Sequence, residues 1–90
     1  MMDEHALNKE LSKGSKAKTI LEDSLFIETF DTLKDTYTNQ IMNTSYKDSE
    51  ARTAIWVAYH QLDKVKDHLT EIMNTGKLAS RQLEDIKKLK

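Results

Sequence analysis

The sequence predicts a single all-α domain organised around an antiparallel helical hairpin. Three observations predict it. The 90-residue chain has no proline and only two glycines, Gly14 and Gly76, so the usual punctuation of turns and sheets is nearly absent. Apolar residues recur at steps of three and four over two long stretches, the spacing of one helix face. Charged residues make up 32% of the chain and large hydrophobes are sparse, which suits exposed helices with narrow apolar seams. A chain of this length buries only about 60–65% of its surface, so self-association or a partner would make up the shortfall.

Residues 1–22 form a flanking segment. Ala6, Leu7 and Leu11 give it a weak apolar side, and Ser12-Lys13-Gly14-Ser15-Lys16 reads as a break. A short helix follows from Ser15 to Glu22, with Thr19 and Glu22 at the spacing of a capping box. The first strong helix spans about residues 24–44. Asp23 or Ser24 can cap it, and Phe26, Phe30, Leu33, Tyr37 and Ile41 share one face. Thr44-Ser45-Tyr46-Lys47 is a polar connection.

The second strong helix spans about residues 49–75. Asp48 or Ser49 caps it, and Glu50 stands where the helix dipole favours an acid. Ile55, Ala58 or Tyr59, Leu62, Val65, Leu69 and Ile72 follow in register. Asn74-Thr75-Gly76 then has the form of a helix stop. Ala79, Leu83 and Ile86 continue the register beyond it, so one long helix and two separate helices compete. Glycine costs about 1 kcal/mol inside a helix, which favours a break and a basic tail helix over residues 77–90. Two long helices joined by a short connection lie antiparallel. The expected core sets Phe30, Leu33 and Tyr37 against Leu62, Val65 and Leu69.

The composition excludes several chemistries. The chain has no cysteine, hence no disulfide, thiolate metal site or cysteine nucleophile. No apolar run approaches the ~20 residues of a membrane span, and the first residues lack the pattern of a signal peptide. A cytoplasmic protein is expected. His60 and His68 stand eight residues apart on one helix, too far to share a metal. Asp31 and Asp35 share a helix face but no cleft that would separate their pKa values. Ser24, Ser49 and Ser80 fall where caps belong. Gly76-Lys77 lacks the remainder of a phosphate loop. No catalytic residue, metal ligand, cofactor or small-molecule substrate is expected, and the chain reads as a binding protein.

Two groups of residues are candidates for binding. Trp56 and Val57 point away from the Ile55–Leu62–Val65–Leu69 stripe, as Ile27, Leu25 and Met42 do from the stripe of the first helix. Trp56, Val57, Ile27 and Met42 are therefore a candidate oligomer interface, unless the terminal helices fold back and cover them. The second group is basic. Residues 23–50 carry six acids against two lysines, whereas residues 76–90 carry five bases against two acids. Lys77, Arg81, Lys87, Lys88 and Lys90, with Lys13, Lys16 and Lys18 near the start, are candidate phosphate contacts. No aromatics are interleaved among them, so base stacking is not expected there.

Three stretches carry a resemblance: Ala17-Lys18-Thr19-Ile20-Leu21-Glu22-Asp23-Ser24-Leu25-Phe26, Asp48-Ser49-Glu50-Ala51-Arg52, and Thr75-Gly76-Lys77-Leu78-Ala79 with Gln82-Leu83-Glu84. With them the chain resembles short helical proteins of tailed bacteriophages, among which the small terminase subunits are the best defined of this size and shape. That resemblance implies a homo-oligomer, assembled as a ring, that binds double-stranded DNA and regulates a large terminase subunit. The chain departs from the family in lacking an evident N-terminal helix-turn-helix, which would leave DNA contact to the basic tails. A regulator docking on a host enzyme and a structural connector of the virion are the alternatives.

Overall fold

A computed structural model describes residues 3–89, and all of its secondary structure among those residues is helical. Helix α1 runs Glu4–Glu22, α2 runs Ser24–Asn43 and α3 runs Ser49–Lys88. Aspartates set the three starts. Asp3 accepts from the backbone N–H of His5, Asp23 from Phe26 and Asp48 from Ala51, each satisfying a donor that the first helical turn leaves without a partner. Asp23 has extended backbone (φ −66°, ψ 127°) and ends α1 as well as capping α2, so one residue separates the two helices. The caps are therefore Asp23 and Asp48 rather than the serines beside them. Ser80 caps nothing, being inside α3, and Thr19 is inside α1, where its hydroxyl donates to the Ser15 carbonyl at 3.1 Å.

Two expected breaks are absent. The segment Ser12–Lys16 is helical throughout, and α3 passes through Gly76 without interruption for 40 residues. At 1.5 Å per residue that rod is about 60 Å long, close to the 66 Å length of the molecule. There is no separate tail helix over residues 77–89. Lys90 lies outside the described residues.

The reason is a tertiary contact. A Cβ added at Gly14 would stand 2.7 Å from the Gly76 Cα, and one added at Gly76 would stand 2.8 Å from the Gly14 Cα. The backbones of α1 and α3 touch there, an approach that only the absence of a side chain permits. Ala17 and Ala79 are buried on either side of the contact, and Leu7 is the most enclosed large side chain, at 1% exposure. Neither glycine has positive φ, so both are there for closeness and not for a turn.

The contacts define the path of the chain. Gly14 meets Gly76, while Glu4, Asn8 and Leu11 border the groove formed with Ser80, Leu83 and Lys87. Numbers fall on α3 as they rise on α1, so the two run antiparallel. Along the other half of α3, the Arg52 guanidinium reaches the Ile41 and Thr44 carbonyls, Lys34 reaches Asp63, and the Lys66 ammonium stands 5.3 Å from the Phe30 ring centre. Helices α1 and α2 thus follow one another along a single α3. The α3 seam is a heptad: Ile55, Leu62, Leu69, Gly76 and Leu83 recur every seven residues, with Ala58, Ile72, Ala79 and Ile86 between them. Val65 falls on this register but is 49% exposed, so the expected Leu62–Val65–Leu69 set is corrected at that position. The neighbouring Lys66 is half-buried and holds its charge over the ring of Phe30.

The result is a thin ribbon of 66 × 27 × 15 Å. Few side chains are enclosed: Leu7, Ala17, Phe30 and Ala79 form the buried apolar set. The radius of gyration is 19.2 Å, against about 12 Å for a compact domain of this length. The accessible surface is 7051 Å², against about 5,400 Å² for a globular monomer of this mass.

Candidate functional site

The heptad separates the two flanks of α3. Counted from Ile55, the second and fifth positions hold Arg52, Trp56, Tyr59, Asp63 and Lys66, all on the flank that meets one side of α2. The third and seventh positions hold Val57, Lys64, His68 and Glu71 on the other flank. Trp56 and Val57, adjacent in sequence, therefore lie on opposite flanks of the ribbon. Both stay exposed, because α1 pairs with the far half of α3 and does not fold back over them.

Trp56 borders an apolar notch of about 180 Å³ with Thr38, Ile41, Met42, Tyr59 and His60. Its indole stands 4.1 Å, centre to centre, from the His60 ring, and the His60 ring meets Tyr59 edge-on at 5.4 Å. One turn of α3 thus gathers three rings, tilted or edge-on to one another, in the lining of the notch. Trp56 is 57% exposed, and Met42, across the notch, is more open still. Of the four expected interface residues, the structure brings Trp56 and Met42 together. Ile27 is on the same side of α2 but fifteen residues from Met42, about 22 Å along the helix. Val57 belongs to the other flank. Thr38, Ile41, Tyr59 and His60 complete the notch and were not legible as members, because Ile41 and Tyr59 read as stripe residues and Thr38 and His60 as polar ones.

Beside the notch, the Lys34 ammonium and the Asp63 carboxylate meet at 2.6 Å and tie α2 to α3. That hydrogen bond holds the Lys34 pKa above its ordinary value and the Asp63 pKa below its own, with partial desolvation opposing both shifts. Lys34 also approaches the Tyr59 ring at 5.6 Å, so the pair adjoins the aromatic cluster. A larger concavity of about 560 Å³ on the opposite flank is lined by Thr36, Asn39, Gln40 and Asn43 with Thr44 and Ile55. With its hydroxyls and amides it is more polar than the Trp56 notch, so the notch is the better candidate for apolar association.

Among the described residues, the basic candidates share one limb of the ribbon. The close approach of Gly14 to Gly76 places Lys13 and Lys16 alongside the α3 segment that carries Lys77 and Arg81. They do not merge into one patch. Lys13 borders a hollow with Glu10, His68 and Glu71, while Lys87 borders another with Glu4 and Glu84, and Lys18 pairs with Glu22 at 4.0 Å. Among the described residues no group of three or more His, Cys, Asp or Glu converges as a metal site, and no helix is long and apolar enough to cross a membrane. Comparison with protein-family models, with curated proteins and with solved structures finds no significant match.

Proposed function

We propose that this chain is a non-enzymatic binding protein that works as a homo-oligomer, its α2–α3 hairpin carrying the association surface. The observation that carries the reading is the surplus of surface: 7051 Å² on a 10.4 kDa chain. The excess over a globular monomer is about 1,600 Å², the area of a standard interface. An apolar notch headed by a lone tryptophan is the kind of element that anchors such contacts.

The finer reading is a phage DNA-packaging subunit of small-terminase type. In it the oligomer binds double-stranded DNA through the basic limb and regulates a large terminase subunit. It is supported by the resemblance of residues 17–84 and by the placement of Lys13, Lys16, Lys77 and Arg81 on one limb. The rival is a regulator that docks on a host enzyme. One observation favours it: the notch lies on the acidic limb, where residues 23–69 carry eight acids against five bases.

Mass measurement in solution combined with DNA titration at low salt tests both. A closed ring that binds duplex DNA supports packaging. A monomer or a lone pair without DNA binding overturns packaging in favour of the regulator.

A further inference from the structure

We infer that two copies of this chain stack antiparallel, flank to flank, with Trp56 of each copy seated in the groove between α1 and α3 of the other. This rests on the self-association reading and is independent of the cargo; a ring built from such pairs has an even number of copies. The groove has a volume of about 470 Å³ and is bordered by Asn8, Leu11, Ser80, Leu83 and Glu84 among others. It lies on the flank that bears Trp56, since Ser80 and Glu84 occupy the same heptad positions as Arg52 and Trp56.

Spacing makes the match reciprocal. Glu84 is four heptads beyond Trp56, about 42 Å along α3. Their midpoint is Thr70, on the same flank and close to the middle of the helix. A two-fold axis at Thr70 therefore carries the Trp56 of either copy onto the groove of its mate, as an isologous interface requires. Leu11 and Leu83 supply apolar walls for the indole, and the Glu84 carboxylate supplies an acceptor for its N–H.

Charge selects the antiparallel arrangement. Residues 23–69 carry eight acids against five bases, and the remaining residues carry nine bases against seven acids. Antiparallel stacking lays the acidic limb of one copy on the basic limb of the other, whereas parallel stacking opposes like with like. Area is sufficient: one face of the 66 × 27 Å ribbon exceeds the roughly 800 Å² per partner of a stable interface.

Trp56 is the lone tryptophan, so its emission reports on its seat. Sedimentation and fluorescence are followed together over a dilution series. On association the emission should move to shorter wavelength. Trp56→Ala should weaken association about 30-fold or more, the scale of an anchor residue. Asn8→Arg, a change at an exposed groove position, should weaken it comparably and leave the emission long at concentrations where the unaltered chain has shifted. Helicity by circular dichroism checks that each variant folds. Because the chain has no cysteine, Thr70→Cys should form a disulfide-linked pair on mild oxidation, and Glu71→Cys, on the opposite flank, should not. An oligomer whose Trp56 emission never shifts, or equal cross-linking by both cysteines, overturns the antiparallel seat and leaves self-association standing. A chain that stays monomeric at all concentrations overturns both.

Discussion

Gly14 and Gly76 stand backbone to backbone, so that a methyl group on either would fall within 2.8 Å of the other's Cα. In isolation, alanine would improve either helix by roughly 0.5–1 kcal/mol. In this molecule the helices would have to separate. Gly76→Ala should therefore lower stability by about 1–3 kcal/mol, the usual cost of overpacking. Urea unfolding followed by circular dichroism measures it, and a variant more stable than the parent would mean that α1 does not pack here.

Burial ranks the apolar positions. Leu7 is enclosed and Val65 is not. Leu7→Ala should cost about 2–5 kcal/mol, whereas Val65→Ala should stay within about 0.5 kcal/mol, as surface changes do. Reversal of that order would restore Val65 to the seam.

The Lys34–Asp63 bridge predicts a pH dependence with a definite sign. Asp63 has a depressed pKa in the folded state, so its contribution is present above the ordinary carboxylate range and is lost as pH falls through the folded value. Lys34 has a raised pKa, so its contribution is present below the ordinary lysine range and is lost as pH rises through the folded value. Between those limits the bridge is intact. Asp63→Asn should be less stable than the parent near neutrality, and the difference should close as pH falls through the depressed folded value of Asp63. Thermal melts of both proteins at several pH values test it; a gap that persists in acid would assign the loss to packing.

Any binding to duplex DNA should be electrostatic. Changing Lys87, Lys88 and Lys90 to glutamine removes charge and keeps Leu83 and Ile86. The slope of log affinity against log salt should then become shallower by about 0.9 for each phosphate that is no longer neutralised. An unchanged slope would assign phosphate binding to the remaining candidates, Lys13, Lys16, Lys18, Lys77 and Arg81. No binding at low salt would remove DNA from the partners.

Much of the fold was legible. Asp23 and Asp48 marked two starts because a carboxylate ahead of an apolar-periodic run satisfies the first backbone donors whatever the surroundings. The polar connection after Thr44 was equally local. The site was legible only in part. Trp56 and Met42 stood out as apolar residues off their stripes, but their meeting depends on how α2 and α3 are rotated against each other. Nothing in the run of residues marked Asn8, Leu11, Ser80 and Leu83 as one groove, because they come from opposite ends of the chain.

The sequence by itself determined the helical class, the positions of α2 and the start of α3, and the heptad that crosses Gly76. Periodicity and capping are properties of neighbouring residues, so they survive without a partner. Only the tertiary structure decided that Gly76 continues its helix, that Val65 faces water while Lys66 covers the Phe30 ring, and that Trp56 and Val57 serve opposite flanks. The physical reason is the same in each case. A glycine in water weakens a helix by about 1 kcal/mol, but opposite a second glycine it lets two backbones touch, and that approach exists only once residues 62 positions apart have met.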